Sequence, residues 1–276
     1  MKNKLLAVAM LSAISINAQA YSIDGDINDW INAPSGTASD WSPAYPGVAY
    51  TVEDNDSYVM SRGGQRYDAE AMYVDSDADN IYVAVVTGRS FNKDYYPAGD
   101  LAFDFGNDGS FEYGVVVRSD SGNTDVNSAY NGGIGNQGDV YSVTDWNVGI
   151  WDDSGNHVGV GNGTQAHPTT VQAGSIIGNT SLAYTELLYN SSVPNQLGEN
   201  GGRHYLIEAK ISKSLFNLMG LGDSFTVHWA MGCANDTIST TFDIGGDIVN
   251  VPEPSTLVVL LIGLSGFFFQ GRKVRV

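Results

Sequence analysis

Along most of the chain, short β-rich apolar runs, some of them alternating at a period of two, are separated by clusters of Gly, Asn, Asp and Ser. Strand side chains point alternately to opposite faces, so this pattern predicts short strands and turns with almost no helix. "EAMYV" (70–74) and "NIYVAVVTG" (80–88) flank the acidic turn "DSDAD". "DLAFDF" (100–105) and "SFEYGVVVR" (110–118) flank "GNDG", a tight-turn signal. "RHYLIEAKI" (203–211) sets Tyr205, Ile207, Ala209 and Ile211 on one face against His204, Leu206, Glu208 and Lys210 on the other. "SFTVHWAMG" (224–232) aligns Phe225, Val227, Trp229 and Met231. Between these, "KSLFNLMGL" (213–221) reads as a short helix or a loop. Residues 119–180 read as long Gly- and Asn-rich loops with strands near 139–151 and 170–177. No internal repeat is evident. The expected fold is all-β, an antiparallel β-sandwich of jelly-roll-like type.

The two ends break the pattern. "MKNKLLAVAMLSAISINAQA" has two lysines, an apolar core from Leu5 to Ile16, and Ala18 and Ala20 in a small-x-small arrangement. That is the layout of a secretory signal peptide over residues 1–20. At the other end, Leu257 to Phe269 is a 13-residue apolar run followed by Arg272, Lys273 and Arg275. As a helix it spans roughly 20 Å against roughly 30 Å of hydrocarbon, a short crossing with its cations on the cytoplasmic side. A short segment behind a defined polar motif is suited to be read by a processing enzyme and discarded.

Val251, Pro252, Glu253, Pro254, Ser255 and Thr256, the apolar run and the final cations resemble the PEP-CTERM sorting signal of Gram-negative bacteria over residues 251–276. The two prolines keep the recognition segment extended and outside the helix. The resemblance implies processing by exosortase, a membrane-embedded transpeptidase. It also implies transient inner-membrane anchoring, cleavage near the motif, and release to the cell surface or the exopolysaccharide matrix.

The body is then residues 21–250. Without Lys2, Lys4, Arg272, Lys273, Arg275 and Glu253 it keeps 8 basic and 30 acidic residues, a net charge of −22. Such a body will not bind nucleic acid through phosphates. Its charge favours solubility and strains the compact state by self-repulsion, which bound divalent cations would relieve. The single cysteine, Cys233, excludes an intrachain disulfide in an oxidising compartment and is expected to be a buried thiol.

The body also shows an order of segments similar to family 9 carbohydrate-binding modules and related DOMON-like β-sandwiches. "YSIDGDINDW" opens it; "AMYVDSDADNIYVAVVTG", "GDLAFDFGNDGSFEYGV", "YLIEAKISKSLF" and "GDSFTVHWAMGCANDTI" follow. That resemblance covers most of residues 21–245 and implies a β-sandwich. It carries over no sugar-stacking tryptophan residue by residue, and Ser212 stands where the family has proline. Trp229, Met231, Cys233, Asn235 and Asp236 match a "W-x-M-x-C-x-N-D" segment of several exosortase-sorted surface proteins.

Two acidic turns are candidate Ca²⁺ sites, because Ca²⁺ takes 6–8 oxygen ligands. Asp75, Asp77 and Asp79 form one; Asp104, Asn107, Asp108 and Glu112 form the other, with Asp100 as an added ligand. Neither has the glycine and carboxylate spacing of an EF-hand loop; the first reads foremost as a solvated acidic turn and the second as a hairpin turn. Gly133-Ile134-Gly135-Asn136-Gln137-Gly138 fits a dinucleotide fingerprint by letters but lacks a βαβ context. The four histidines lack zinc spacing, no Gly-x-Ser-x-Gly elbow occurs, and nothing singles out a carboxylate pair. The protein is therefore expected to be non-catalytic.

Aromatic residues offer faces on which sugars stack. Trp41 and Tyr45 lie in "DWSPAYPG", and Trp146 and Trp151 in "DWNVGIWDD"; these four are the candidate glycan platform, with loop-packing anchors as the alternative. Trp30 and Trp229 are expected in the core. Three readings follow: a glycan-binding surface or matrix protein, whose ligand is an exopolysaccharide or other surface glycan; a cation-stabilised structural matrix protein; and a secreted carbohydrate-active enzyme. Exposed tryptophans favour the first, buried ones the second, and a cleft with a close carboxylate pair the third.

Overall fold

The alternating runs become strands in the computed structural model, which describes residues 21–31, 41–53, 64–90, 96–118, 133–187, 204–216 and 224–244. The segment read as a signal peptide, residues 1–20, and the sorting tail lie outside the described residues. Eleven strands are described: β1 (Ala49–Val52), β2 (Ala69–Ser76), β3 (Asn80–Thr87), β4 (Leu101–Phe105), β5 (Tyr113–Val115), β6 (Asp139–Val148), β7 (Pro168–Asn179), β8 (Ser181–Leu187), β9 (His204–Ser212), β10 (Ser224–Ala230) and β11 (Thr237–Asp243). They form two antiparallel sheets, ordered β1-β2-β3-β9-β8 and β11-β10-β4-β5-β6-β7. No α-helix occurs among the described residues; Lys213–Leu215 is a single 3₁₀ turn where the sequence left a short helix or a loop open.

The core lies between the sheets, as the alternation requires. Val83, Val85, Ile207, Ala209 and Ile211 from one sheet meet Leu101, Phe103, Phe225, Val227 and Trp229 from the other. At one end Phe216 packs against Phe105 and Tyr113, with ring centroids 5.1 and 5.0 Å apart. At the side, β7 passes into β8 through Thr180, so one continuous stretch of chain leaves the edge of one sheet and enters the edge of the other. On the opposite side Thr51 Oγ1 donates to Ser239 O at 2.7 Å, joining edge strands β1 and β11. Both lateral openings of the sandwich are bridged in this way, which limits edge-to-edge pairing with other chains.

The outer faces are covered as well. Tyr73, Tyr82, Ala84 and Leu206 on the outside of the five-stranded sheet pack against Tyr21, Ile27, Trp30, Ile31 and Trp41. On the outside of the six-stranded sheet, Ala102, Val116, Tyr141, Trp146 and Val171 form a third cluster. The β6–β7 pairing shifts register four times, so this hairpin bends.

The strand expected near 170–177 extends over Pro168–Asn179 as β7, and β1, β8 and β11 were not anticipated. Only Tyr113–Val115 of the segment 110–118 pairs as β5. Short or Gly-rich strands carry too few apolar positions to show a period; their pairing depends on neighbours distant in sequence.

Candidate functional site

The two acidic turns do different things. In the β2–β3 turn, Asp77 Oδ1 accepts from the Asp79 and Asn80 amides at 2.8 and 2.6 Å, and its Oδ2 accepts from Tyr82 Oη at 2.7 Å. These bonds hold its carboxyl below the usual carboxylate range against a burial that pushes it up. Asp75 Oδ2 accepts from Tyr21 Oη at 2.6 Å, and Asp79 is exposed. Lys213 Nζ donates to Asp77 O and to Ser76 Oγ. Asp75 and Asp77 therefore spend their carboxylates on neighbouring hydroxyls and amides, and Asp75, Asp77 and Asp79 form no common three-carboxylate cluster.

In the β4–β5 turn, ligand atoms of Asp104, Asp108 and Glu112 all lie within 4.8 Å of one another. Asp104 accepts from the Asp108 and Gly109 amides at 3.1 and 2.9 Å, and Glu112 Oε2 accepts from the Phe105 amide at 2.9 Å. Asn107, at φ 56°, turns aside to donate to Ser224 Oγ and accept from Thr226 Oγ1. Burial pushes the Glu112 carboxyl up, and the neighbouring charges of Asp104 and Asp108 add to the rise. Three close carboxylates with one strained toward protonation are the arrangement a divalent cation relieves. Asp100 is not part of it. It starts the opposite end of β4, is buried, and accepts from the Val117 and Val171 amides at 3.0 and 2.9 Å.

The aromatic candidates separate. Trp41, Trp146 and Trp151 are 1, 8 and 8% exposed, whereas Tyr45 is 41% exposed. Trp41 belongs to the cluster over the five-stranded sheet, and Trp151 to the main core. Trp146 lies over Gly114 on the six-stranded sheet and donates through Nε1 to Phe111 O at 2.9 Å. The three indoles are packing anchors. Each replaces water with apolar neighbours, which is where large rings contribute most.

Several buried polar groups were not singled out from sequence. Glu208 lies on the outer face of β9, fully buried, and accepts from Trp30 Nε1 at 2.9 Å and the Gly25 amide at 2.7 Å. Its position could be read from the strand alternation; its burial could not. Glu70 Oε1 meets His204 Nδ1 at 2.8 Å, both buried, across a pairing that joins β2 to β9 only through β3. The Trp229–Asp236 segment is a structural corner. Trp229 Nε1 donates to Gly99 O at 3.1 Å, Cys233 Sγ to Asn235 Oδ1 at 2.9 Å, and Asp236 Oδ2 accepts from the Ala69 amide at 2.6 Å. Burial pushes the Cys233 thiol up to about 12, which keeps it unreactive, as expected for its place in the core. The glycines of 133–138 form a turn entering β6, with Gly135 and Gly138 at φ 90° and 85°.

Among the curated proteins and the solved structures compared, none matches this chain. The similarity of the body to carbohydrate-binding modules is thus carried by no match. One family model does match, the PEP-CTERM protein-sorting motif, over residues 250–275. The chain carries a PEP-CTERM sorting motif behind an all-β body, and that motif implies export, processing by an exosortase and sorting to the cell surface.

Proposed function

We propose that the sorted body is a non-catalytic structural protein of the cell surface or extracellular matrix, stabilised by divalent cations. The observation that carries this reading is the packing of Trp41, Trp146 and Trp151 into hydrophobic clusters. Burial of those three rings supports this reading, because they offer no open face for a sugar to stack on. The Asp104–Asp108–Glu112 cluster is the first place a Ca²⁺ ion would be taken up.

The test is thermal unfolding of the body with Ca²⁺ and with NaCl at matched ionic strength. Ca²⁺ is expected to raise the Tm well beyond NaCl, and saturation at ~100 times Kd adds roughly 2.7 kcal/mol. Asp108→Asn should remove most of the difference. Equal shifts from both salts would reduce the acidic turns to a screened surface.

A second reading, glycan binding, is favoured by one feature: Tyr45 and Tyr50 are 41 and 48% exposed. Affinity electrophoresis in the native exopolysaccharide separates the two. The structural reading expects no retardation of the wild-type body, whereas retardation abolished by Tyr45→Ala establishes a glycan site.

A further inference from the structure

Both ends of the described body leave from the same pole of the sandwich. Tyr21 sits beside the β2–β3 turn, its hydroxyl on Asp75 and its ring 5.1 Å from that of Tyr82. The last strand, β11, ends at Asp243, which pairs with Ser224 at the start of β10. Ser224 O in turn accepts from the Gly106 amide at 3.3 Å, and Ser224 Oγ accepts from Asn107 Nδ2 at 2.7 Å, so β11 ends beside the β4–β5 turn. The two turns share one pole. The Lys213 amide donates to Asp79 O at 2.8 Å, and Phe216, three residues on, packs on Phe105 and Tyr113 at the ends of β4 and β5.

We infer that this pole is the end of the body that faces the lipid surface while the chain is tethered. The inference rests on the sorting reading above. From Ile244 to the motif at residue 250 is six residues, at most about 22 Å of extended chain. From Ile244 to the first residue of the apolar run, Leu257, is 13 residues, at most about 47 Å of chain. The opposite pole lies farther out by the length of β10, seven residues or roughly 20 Å. There Ile150 donates to Cys233 O at 3.1 Å, next to the exposed turn that carries Ser154.

The facing pole is acidic. Asp77, Asp79, Asp104, Asp108, Glu112 and Asp243 gather there against Lys210 and Lys213. When no cation is bound, these carboxylates are repelled by anionic headgroups within roughly 8–10 Å of the surface. The pole therefore does not adhere. The body is thus not held against the headgroups, and the cut chain leaves the surface.

The experiment uses the uncleaved full chain in phosphatidylcholine vesicles that carry an acceptor dye on a lipid headgroup. A donor dye is placed on Ser110→Cys or on Ser154→Cys; both positions are exposed, whereas Cys233 is buried and stays unlabelled in the folded protein. Energy transfer is expected to be stronger from position 110 than from position 154. With a chelator present to remove divalent cations, replacing the lipid with phosphatidylglycerol at low salt should lower the transfer from position 110, and high salt should restore it. Equal transfer from the two positions, or stronger transfer from 154, overturns the inference alone. A chain that fails to float with the vesicles overturns the tether itself, and the inference with it. Transfer from position 110 that ignores lipid charge overturns the repulsion.

Discussion

Glu208 shows how one residue couples a strand to its cover. Alternation along β9 sets it opposite the core, where a carboxylate would ordinarily meet water. Instead the segment Tyr21–Ile31 lies over it, and Trp30 Nε1 and the Gly25 amide donate to its two oxygens. Burial pushes its carboxyl up to about 7, the two donors pull it down, and Asp24 pushes it up again. The folded state thus favours the protonated acid relative to the ordinary value of 4.5. This stabilisation is full below about pH 4.5 and is lost as pH rises through about 7, an effect of ~3 kcal/mol. Tm should therefore fall between pH 5 and pH 8 in wild type, and Glu208→Gln should flatten that slope. An unchanged slope in the variant would assign the pH dependence to other groups. Trp30 and Trp229 were legible as core residues, Trp30 from the opening motif and Trp229 from its apolar strand face. That Trp30 would meet a carboxylate 178 positions away was not legible, because the contact is made by tertiary docking.

At the scale of elements, the β6–β7 hairpin is where local sequence was least informative. Its strands run through Gly174 and Gly178, with bulges that break a strict period. What fixes its bend is packing. Trp146 and Val171 close over Gly114 of β5, where an added Cβ would stand 2.7 Å from Trp146 Cη2 and 2.7 Å from Val171 Cγ2. Gly114→Ala should force the indole outward and destabilise the protein by about 1–3 kcal/mol, the usual cost of overpacking. Urea unfolding measures the loss, and the tryptophan emission should shift with the ring. Ser110→Ala, on the exposed β4–β5 turn, should change neither. A neutral Gly114→Ala would mean that the third cluster contributes nothing to stability. The strands that were legible, β2, β3, β4, β9 and β10, each supply several buried apolar residues at period two. Of those that were missed, β1 and β8 present mixed or half-exposed patterns, which a neighbour must complete.

For the whole molecule, the sorting tail makes the sharpest prediction. Replacing Pro252, Glu253 and Pro254 with alanine should leave the chain uncleaved and bound to the membrane, read by fractionation and by the mass of the product. Processing at the wild-type rate would show that the enzyme reads something other than the matched motif. The tail, the signal-peptide layout, the charge of the body and its strand periodicity are local properties, each contained in a short stretch or a simple count. The sequence by itself therefore determined the all-β class and the sorting motif. The docking of Tyr21–Ile31 over Glu208, the burial of Trp41, Trp146 and Trp151, and the gathering of two acidic turns at one pole were decided only by the tertiary structure. Each brings together residues far apart along the chain, and only the packed sheets determine whether a given side chain meets water or another side chain.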